Sequence, residues 1–199
     1  MKSNSKTYLR SMLVTAIMSG IAFVLMLCEF GLPLIPGFLK FDLSDLPALI
    51  SSFALGPLWG CTVELVKNVL HLSVTTTSGV GELANFLIGS AFVIPAGWIY
   101  KRKKGKKQAV IGALVGTIVS VVISFPTNYF ITYPFFSKFL IPMETIIKAY
   151  SVLIPPANTL PRALLIVNCP LTLVKGLCNM LITLLLYKKI SPILKGKQQ

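Results

Sequence analysis

Polar side chains interrupt the apolar stretches of this sequence at spacings that fit one face of a helix. In ELVKNVLHL, Glu64, Asn68 and His71 are spaced i, i+4 and i+7, with Lys67 at the edge of the same face. A carboxylate near an imidazole raises the question of metal binding or acid–base chemistry. Because His71 is the chain's single histidine and Glu64 lies almost two turns away, we predict no metal site and no catalytic residue. An internal Glu–Lys pair or a polar interhelical contact fits this pattern better.

A second polar face occurs in NCPLTLVKGLCN, where Asn168, Thr172, Lys175 and Asn179 are spaced by four, three and four residues. The ammonium group of Lys175, in the middle of an apolar segment, needs an acceptor, which is either a partner side chain in a structural salt bridge or a ligand. Asn128, in SFPTNYF, offers both an amide donor and a carbonyl acceptor, and such a group can pair with the imide-like edge of a heterocycle.

Glu82 and Asn85 lie in TTTSGVGELANF, in the first turn of a predicted helix. The helix dipole favours an anion at this position. Glu82 is therefore either a structural residue or a ligand contact.

The stretch KFDLSDLPALI, residues 40–50, places charge at the start of an apolar run. Its order is suited to capping a helix, with Asp42 or Ser44 as N-cap, Asp45 in the first turn and Pro47 tolerated early. We favour capping as the role of Asp45. Capping does not exclude contact between this segment and a ligand.

The composition predicts an integral membrane protein. The chain has 199 residues, of which 54% are hydrophobic and 13% charged, with a mean hydropathy of +0.78. The apolar runs are long rather than alternating, and one crossing needs about 20 apolar residues. We therefore predict an all-α fold, with residues 1–199 forming one compact six-helix bundle. The four cysteines show no CxxC spacing and are expected to pack as small apolar residues.

Basic residues account for the formal net charge of +13, and most of them fall in three clusters that contain no acidic residue. The clusters are Lys2, Lys6 and Arg10; KRKKGKK at 101–107; and Lys188, Lys189, Lys195 and Lys197. Such clusters beside apolar runs are typical of cytoplasmic loops and attract anionic lipid headgroups. No aromatic-interleaved basic surface accompanies this charge, so we expect no nucleic-acid partner.

The positions of the basic clusters predict the topology, because an even number of crossings must separate cytoplasmic segments. Six helices satisfy this condition, with both termini cytoplasmic: about 9–28, 44–55, 58–73, 82–100, 109–136 and 164–187. The second and third are short and split by Gly56–Pro57, so they either cross fully or form a re-entrant pair. Residues 137–163 are predicted to be an external loop with a short helix at about 143–153.

Ala16 and Gly20 are four residues apart in the first helix, a spacing that lets another helix approach closely. This face serves either ordinary packing within the bundle or docking of a partner subunit. The polar groups converge on the external side, where apolar and aromatic residues surround them. We expect a pocket there for a mostly neutral, partly planar ligand.

Five segments, in this order, resemble the riboflavin-specific substrate-binding (S) component of energy-coupling factor (ECF) transporters. They are FLKFDLSDLPALISSFALGP, VELVKNVLHL, GVGELANFLIG, NYFITYP and LTLVKGL, and the resemblance covers residues 9–190. It implies a six-helix protein of the cell membrane that captures riboflavin from outside. It also implies a transmembrane coupling subunit and two cytoplasmic ATPases as partners, with no enzymatic activity or cofactor in this chain.

The resemblance also implies roles for individual residues. The loop Leu39, Lys40, Phe41, Asp42 and Leu43 would cover the ligand, Asn128 would meet the flavin ring, and Lys175 would hydrogen-bond a ring carbonyl. Glu82 and Asn85 complete the ligand-binding set, together with Thr172, which stands where the family commonly has an asparagine. Ala16 and Gly20 would dock on the coupling subunit.

Three alternatives remain open at this point. The chain could be an S component for flavin mononucleotide or another vitamin. It could be an intramembrane enzyme using Glu64 and His71, which would lose turnover on His71→Gln. It could also be a structural adaptor in which Lys175 pairs internally, so that Lys175→Ala would lower stability without a ligand being involved.

Overall fold

The computed structural model describes residues 2–33 and 35–195, with side chains for 5–33 and 35–186. The side chains of Lys2, Lys188, Lys189 and Lys195 therefore lie outside the described part, as does Lys197 altogether. The described chain is mainly helical, with one very short antiparallel ladder. The predicted all-α class agrees with this composition of elements.

The elements follow one another in a simple order. They are α1 (Lys2–Leu27), β1 (Phe30–Gly31), β2 (Lys40–Phe41), α2 (Asp45–Ala54), α3 (Pro57–His71), α4 (Val80–Arg102), α5 (Lys106–Thr127), α6 (Tyr133–Phe139), α7 (Met143–Leu153), α8 (Leu160–Ala163) and α9 (Cys169–Lys195). One 3₁₀ turn (Leu72–Val74) follows α3, and π-helical turns (Asn128–Thr132 and Leu164–Asn168) join α5 to α6 and α8 to α9.

Four helical segments in the described part are long and apolar enough to cross a membrane. They are Ser5–Leu27, Val80–Arg102, Lys106–Phe139 and Leu160–Leu186. Helices α2 and α3 have 10 and 15 residues, each shorter than the roughly 20 residues of one crossing. They are separate because Gly56 has φ +123°, a left-handed conformation that glycine tolerates, and Pro57 occupies the first turn of α3.

Helices α4 and α5 approach each other closely through two glycines. A Cβ added at Gly112 would lie 2.6 Å from the carbonyl oxygen of Ala96, and one at Gly116 would overlap the carbonyl oxygen of Phe92. Small residues four apart on one helix permit this distance between backbones. The packing fixes α5, and with it the start of the π turn that carries Asn128.

Two apolar clusters form the interior. The larger cluster contains residues of the first five helices, α1 through α5, and of α9, including Leu49, Phe53, Phe92 and Ala113. The smaller joins α6, α7 and the start of the last helical segment, with Ile35, Phe38 and Leu39 of the loop packed against it.

Residues 28–44 form the connection between α1 and α2, and the ladder closes it. Phe30 is paired with Phe41 and Gly31 with Lys40, and the Phe30 and Phe41 rings are 5.6 Å apart. Lys40 also forms an ion pair with Glu29. This connection is therefore a folded hairpin in which Asp42 is buried and Lys40 is exposed.

Candidate ligand-binding site

A cavity of about 460 Å³ lies between the 28–44 hairpin, α4, the α5–α6 junction and α9. This volume suits a small organic ligand. Apolar and aromatic side chains form much of its wall, including Met26, Phe38, Ile88, Phe92, Tyr133, Phe136, Leu140 and Leu171. The polar wall consists of residues from at least four elements, which the following contacts hold in place.

Most of the residues predicted from the sequence to bind a ligand line this cavity. They are Leu39, Lys40, Asp42, Glu82, Asn85, Asn128, Thr172 and Lys175. Phe41 and Leu43 are not among the residues that line the cavity, and their contact with a ligand stays a prediction. Successive side chains of extended backbone point in opposite directions, so Lys40 and Asp42 face the cavity while Phe41 packs on Phe30.

Lys175 joins the hairpin to α9. Its Nζ lies 3.1 Å from Asp42 Oδ2 and 3.2 Å from Asp45 Oδ2. Of the two acceptors considered from the sequence, a partner side chain or a ligand, the structure shows the partner side chains. Lys175 also lines the cavity. An ammonium group has three N–H donors, so two directed at carboxylates leave one for a ligand.

Asp45 lies in the first turn of α2, as predicted, but its carboxylate is bound by lysines of other helices. Ser44 precedes α2 without a side-chain capping bond, and Asp42 Oδ1 accepts the backbone N–H of Ser44 at 2.8 Å. The Asp45 carboxylate instead binds the ammonium groups of Lys67 and Lys175. The Asp45 carboxylate pairs with lysines of other helices because burying a charge is costly unless it has a charged partner.

Lys67 and Glu64 form a fully buried ion pair behind the cavity wall. Lys67 Nζ lies 2.8 Å from Glu64 Oε2 and donates to Ser44 Oγ at 2.8 Å. The Glu64 carboxylate occupies the space above Gly89 of α4, where any Cβ would overlap it. Of the alternatives considered from the sequence, this is the internal Glu–Lys pair.

His71 and Glu82 form another pair, which the sequence analysis missed. His71 Nδ1 lies 2.8 Å from Glu82 Oε1, while the hydroxyls of Thr75 and Thr77 each donate to Glu82 Oε2 at 3.0 Å. Glu64 and His71 are thus bound to different partners and do not act as a pair. Within the described residues, no group of three or more potential metal ligands occurs.

A directed chain of hydrogen bonds orients Asn128. Thr172 Oγ1 donates to the carbonyl of Asn168 at 2.9 Å and lies 3.1 Å from Ser124 Oγ. Asn128 Nδ2 donates to Ser124 O at 2.9 Å and to Ser124 Oγ at 3.1 Å. The amide nitrogen of Asn128 is therefore directed at Ser124, which leaves the carbonyl oxygen of Asn128 as the acceptor for a group in the cavity.

Tyr133, Tyr150 and Asn168 form a closed hydrogen-bonded ring that ties α6, α7 and the second π turn together. Tyr150 donates to Asn168 Oδ1 at 2.7 Å, Asn168 Nδ2 donates to Tyr133 at 3.1 Å, and the two hydroxyls bond each other. Burial raises the pKa of Tyr150 in α7, so its hydroxyl stays protonated and remains a donor. Of the three, the sequence singled out only Asn168, as part of the Lys175 face.

Ala16 and Gly20, predicted to dock a partner, lie away from the cavity on α1. Ala16 is exposed and Gly20 half-buried, and a Cβ added at Gly20 would meet no atom within 4 Å. Ala22, by contrast, is fully buried in the larger apolar cluster. The face with Ala16 and Gly20 is therefore open to another molecule.

Comparison with known proteins gives consistent matches over nearly the whole chain. Residues 10–187 match the family model described as ECF transporter, substrate-specific component. The chain is 32% identical to riboflavin transporter RibU of Staphylococcus aureus (strain TCH60), over 94% of this chain and 93% of that protein. It is 36% identical to riboflavin transporter FmnP of Bacillus subtilis (strain 168), over 66% of this chain and 70% of that protein.

A solved structure also matches. It is that of the S component of a bacterial ECF transporter, with a TM-score of 0.72 and 30% sequence identity. The match covers 94% of this chain and 98% of the other. Fold and sequence thus point to the same family.

Proposed function

Because this chain belongs to the family of substrate-specific components of ECF transporters, a family of membrane proteins, we propose that it captures riboflavin for uptake into the cell. The resemblance of its motifs to this family is confirmed by the family match over residues 10–187. Two relatives that align with most of this chain are named riboflavin transporters. A vitamin with a flat ring system and an uncharged polyol tail suits a cavity of about 460 Å³ with mixed apolar and polar walls.

The pairing of one acceptor and one donor in the cavity carries this assignment. Asn128 presents a carbonyl oxygen, and Lys175 has an N–H to spare. The imide edge of the riboflavin ring has an N–H between two carbonyl groups, so it complements these two groups. In this arrangement Asn128 accepts the ring N–H and Lys175 donates to a ring carbonyl.

Riboflavin binding to the detergent-purified full chain tests the assignment. We expect saturable quenching of flavin fluorescence on titration, because an electron-rich aromatic side chain beside the bound ring, such as Tyr133, quenches the excited flavin by electron transfer. Protein purified with bound vitamin would also be yellow. A well-folded, colourless protein that leaves riboflavin fluorescence unchanged would contradict the assignment and favour another vitamin as ligand.

The remaining ligand contacts are proposed from their positions in the wall. Leu39, Lys40 and Asp42 of the hairpin cover the ligand, while Glu82, Asn85 and Thr172 contact it from α4 and α9. The Thr172 hydroxyl is committed to the Asn168 carbonyl, so its direct contribution to binding is as an acceptor. The capture itself involves no chemical reaction and no cofactor.

The proposed topology has six crossings in the cell membrane, with both termini and the 101–107 cluster cytoplasmic. It is supported by the exposed basic side chains between α4 and α5 and by the positive-inside rule. In this orientation the cavity opens to the outside. Tags at both termini should be protected from protease in intact cells, and cleavage of either tag would exclude this orientation.

The ECF family implies partners, which we propose to be a transmembrane coupling subunit and, through it, two cytoplasmic ATPases. The open face with Ala16 and Gly20 on α1 is the proposed docking surface. Gly20→Leu should prevent co-purification with the coupling subunit without affecting riboflavin binding, because it adds bulk only on this face. Ala22→Gly at a buried position of the same helix provides a control. If Gly20→Leu leaves co-purification unchanged, docking occurs elsewhere.

A further inference from the structure

Acidic residues are rare in this chain, and they concentrate around the cavity. The chain has six Asp and Glu residues and a formal net charge of +13. Four of the six line the cavity: Glu29, Asp42, Asp45 and Glu82. A fifth, Glu64, is buried behind the wall, whereas Glu144 is exposed on α7.

Lysines compensate all of the carboxylates that line the cavity except one. The ion pairs are Lys40 with Glu29, Lys175 with Asp42 and Asp45, and Lys67 with Asp45 and Glu64. Among the described side chains, Glu82 has no lysine or arginine partner. Its partners are His71 and two threonine hydroxyls, so a neutral His71 leaves the negative charge of Glu82 in place.

We propose that Glu82 makes the cavity selective for an uncharged ligand and against the phosphate ester of that ligand. This inference rests on the proposed capture of riboflavin and concerns its discrimination from riboflavin 5′-phosphate, flavin mononucleotide. A phosphate monoester carries about −1.5 to −2 charge at neutral pH. Glu82 is only 5% exposed, so water screens its field weakly inside the cavity.

Lys40 and Lys175 do not reverse the sign of the field. Each already faces at least one carboxylate, and the wall holds four carboxylates against two ammonium groups. Protonation of His71 would add one positive charge, and the sum over the wall would still be negative. The cavity is therefore acidic within a basic protein, which is the reverse of a phosphate-binding site.

Affinities of the full chain for riboflavin and flavin mononucleotide, both measured by fluorescence quenching, test this role. The wild-type protein should bind riboflavin at least about tenfold more tightly than its phosphate, since two like charges about 10 Å apart at an effective dielectric constant of 20 cost about that factor. Glu82→Gln should reduce this ratio by about the same factor. The ratio isolates the phosphate because both ligands share every other contact.

Glu144→Gln removes one negative charge from the exposed surface of α7 and serves as the matched control, for which the ratio should not change. A wild-type protein that ignores riboflavin would overturn the proposed function itself. A wild-type protein that binds riboflavin, with the same ratio in Glu82→Gln, would overturn only the role of Glu82.

A measurement on the wild-type protein covers the case in which Glu82→Gln fails to fold. The comparison ligand is the 5′-acetate ester of riboflavin, which adds bulk at the same position as the phosphate but carries no charge. If the cavity repels the charge of the phosphate, the protein should bind the acetate ester about tenfold more tightly than flavin mononucleotide. Equal affinities for the two esters would mean that charge does not discriminate, and tighter binding of flavin mononucleotide would mean that the cavity attracts the phosphate; either result overturns the proposal.

Discussion

Replacing Lys67 with methionine should destabilise the protein by about 3–5 kcal/mol, the typical cost of removing one partner from a buried ion pair. The Lys67 side chain is completely buried, and its ammonium group binds Asp45, Glu64 and Ser44. Methionine fills a similar volume but leaves the Glu64 carboxylate without a cation. The apparent melting temperature of the detergent-purified protein measures the loss, which should amount to many degrees.

A second substitution separates lost charge from lost packing. In Lys67→Met/Glu64→Gln the unpaired carboxylate is gone, while Asp45 keeps its ion pair with Lys175. The double variant should regain at least half of the lost stability. Lys101→Met, at an exposed position, is the control and should leave stability nearly unchanged. If the double variant is no more stable than Lys67→Met, the loss does not arise from an unpaired charge.

Lys175→Met should weaken riboflavin binding by about 100-fold or more, because hydrogen bonds to a charged group contribute about 1.5–3 kcal/mol each and the hairpin also loses its link to α9. Lys175 reaches both Asp42 and Asp45 from α9. The Asp45 carboxylate keeps Lys67 as its partner, so the variant should still fold with reduced stability. Fluorescence titration and melting temperature, measured on the same preparation, give the two effects separately.

The double variant Lys175→Met/Asp42→Asn distinguishes a ligand contact from a purely structural ion pair. It restores the balance of charge around Asp42, so stability should recover while riboflavin binding remains weak. Lys148→Met on α7 removes an exposed lysine and should change neither quantity. Recovery of binding in the double variant would contradict contact between Lys175 and the ligand and would mean that Lys175 acts on binding only through its ion pairs.

Asp45 and Lys175 show which features of this site can be predicted from the sequence and which cannot. Helical spacing places Thr172 and Lys175 on one face, and both line the cavity. The spacing carries no information on which residues of other helices face them. Asp45 was therefore assigned to the nearest local role, capping, although its partners are 22 and 130 positions along the chain. The His71–Glu82 pair was missed for the same reason.

The sequence by itself determined the membrane character, the helical class and the family of this protein. Long apolar runs, Gly56–Pro57 and the basic clusters are local patterns, and each has a local physical cause in hydrophobic burial, backbone geometry or charge at the membrane surface. The motifs around Asp42, Glu82, Asn128 and Lys175 carry the resemblance because these few polar residues stand in otherwise apolar segments.

The tertiary structure alone decided how these polar residues are paired. It brought three lysines against four carboxylates, placed His71 and two threonine hydroxyls beside Glu82, and directed the Asn128 amide nitrogen at Ser124. It also closed the ring of Tyr133, Tyr150 and Asn168. The physical reason is that a buried polar group takes its partner from whichever helix lies within about 3 Å. That neighbour is set by the packing of helices distant in sequence, on which no local pattern reports.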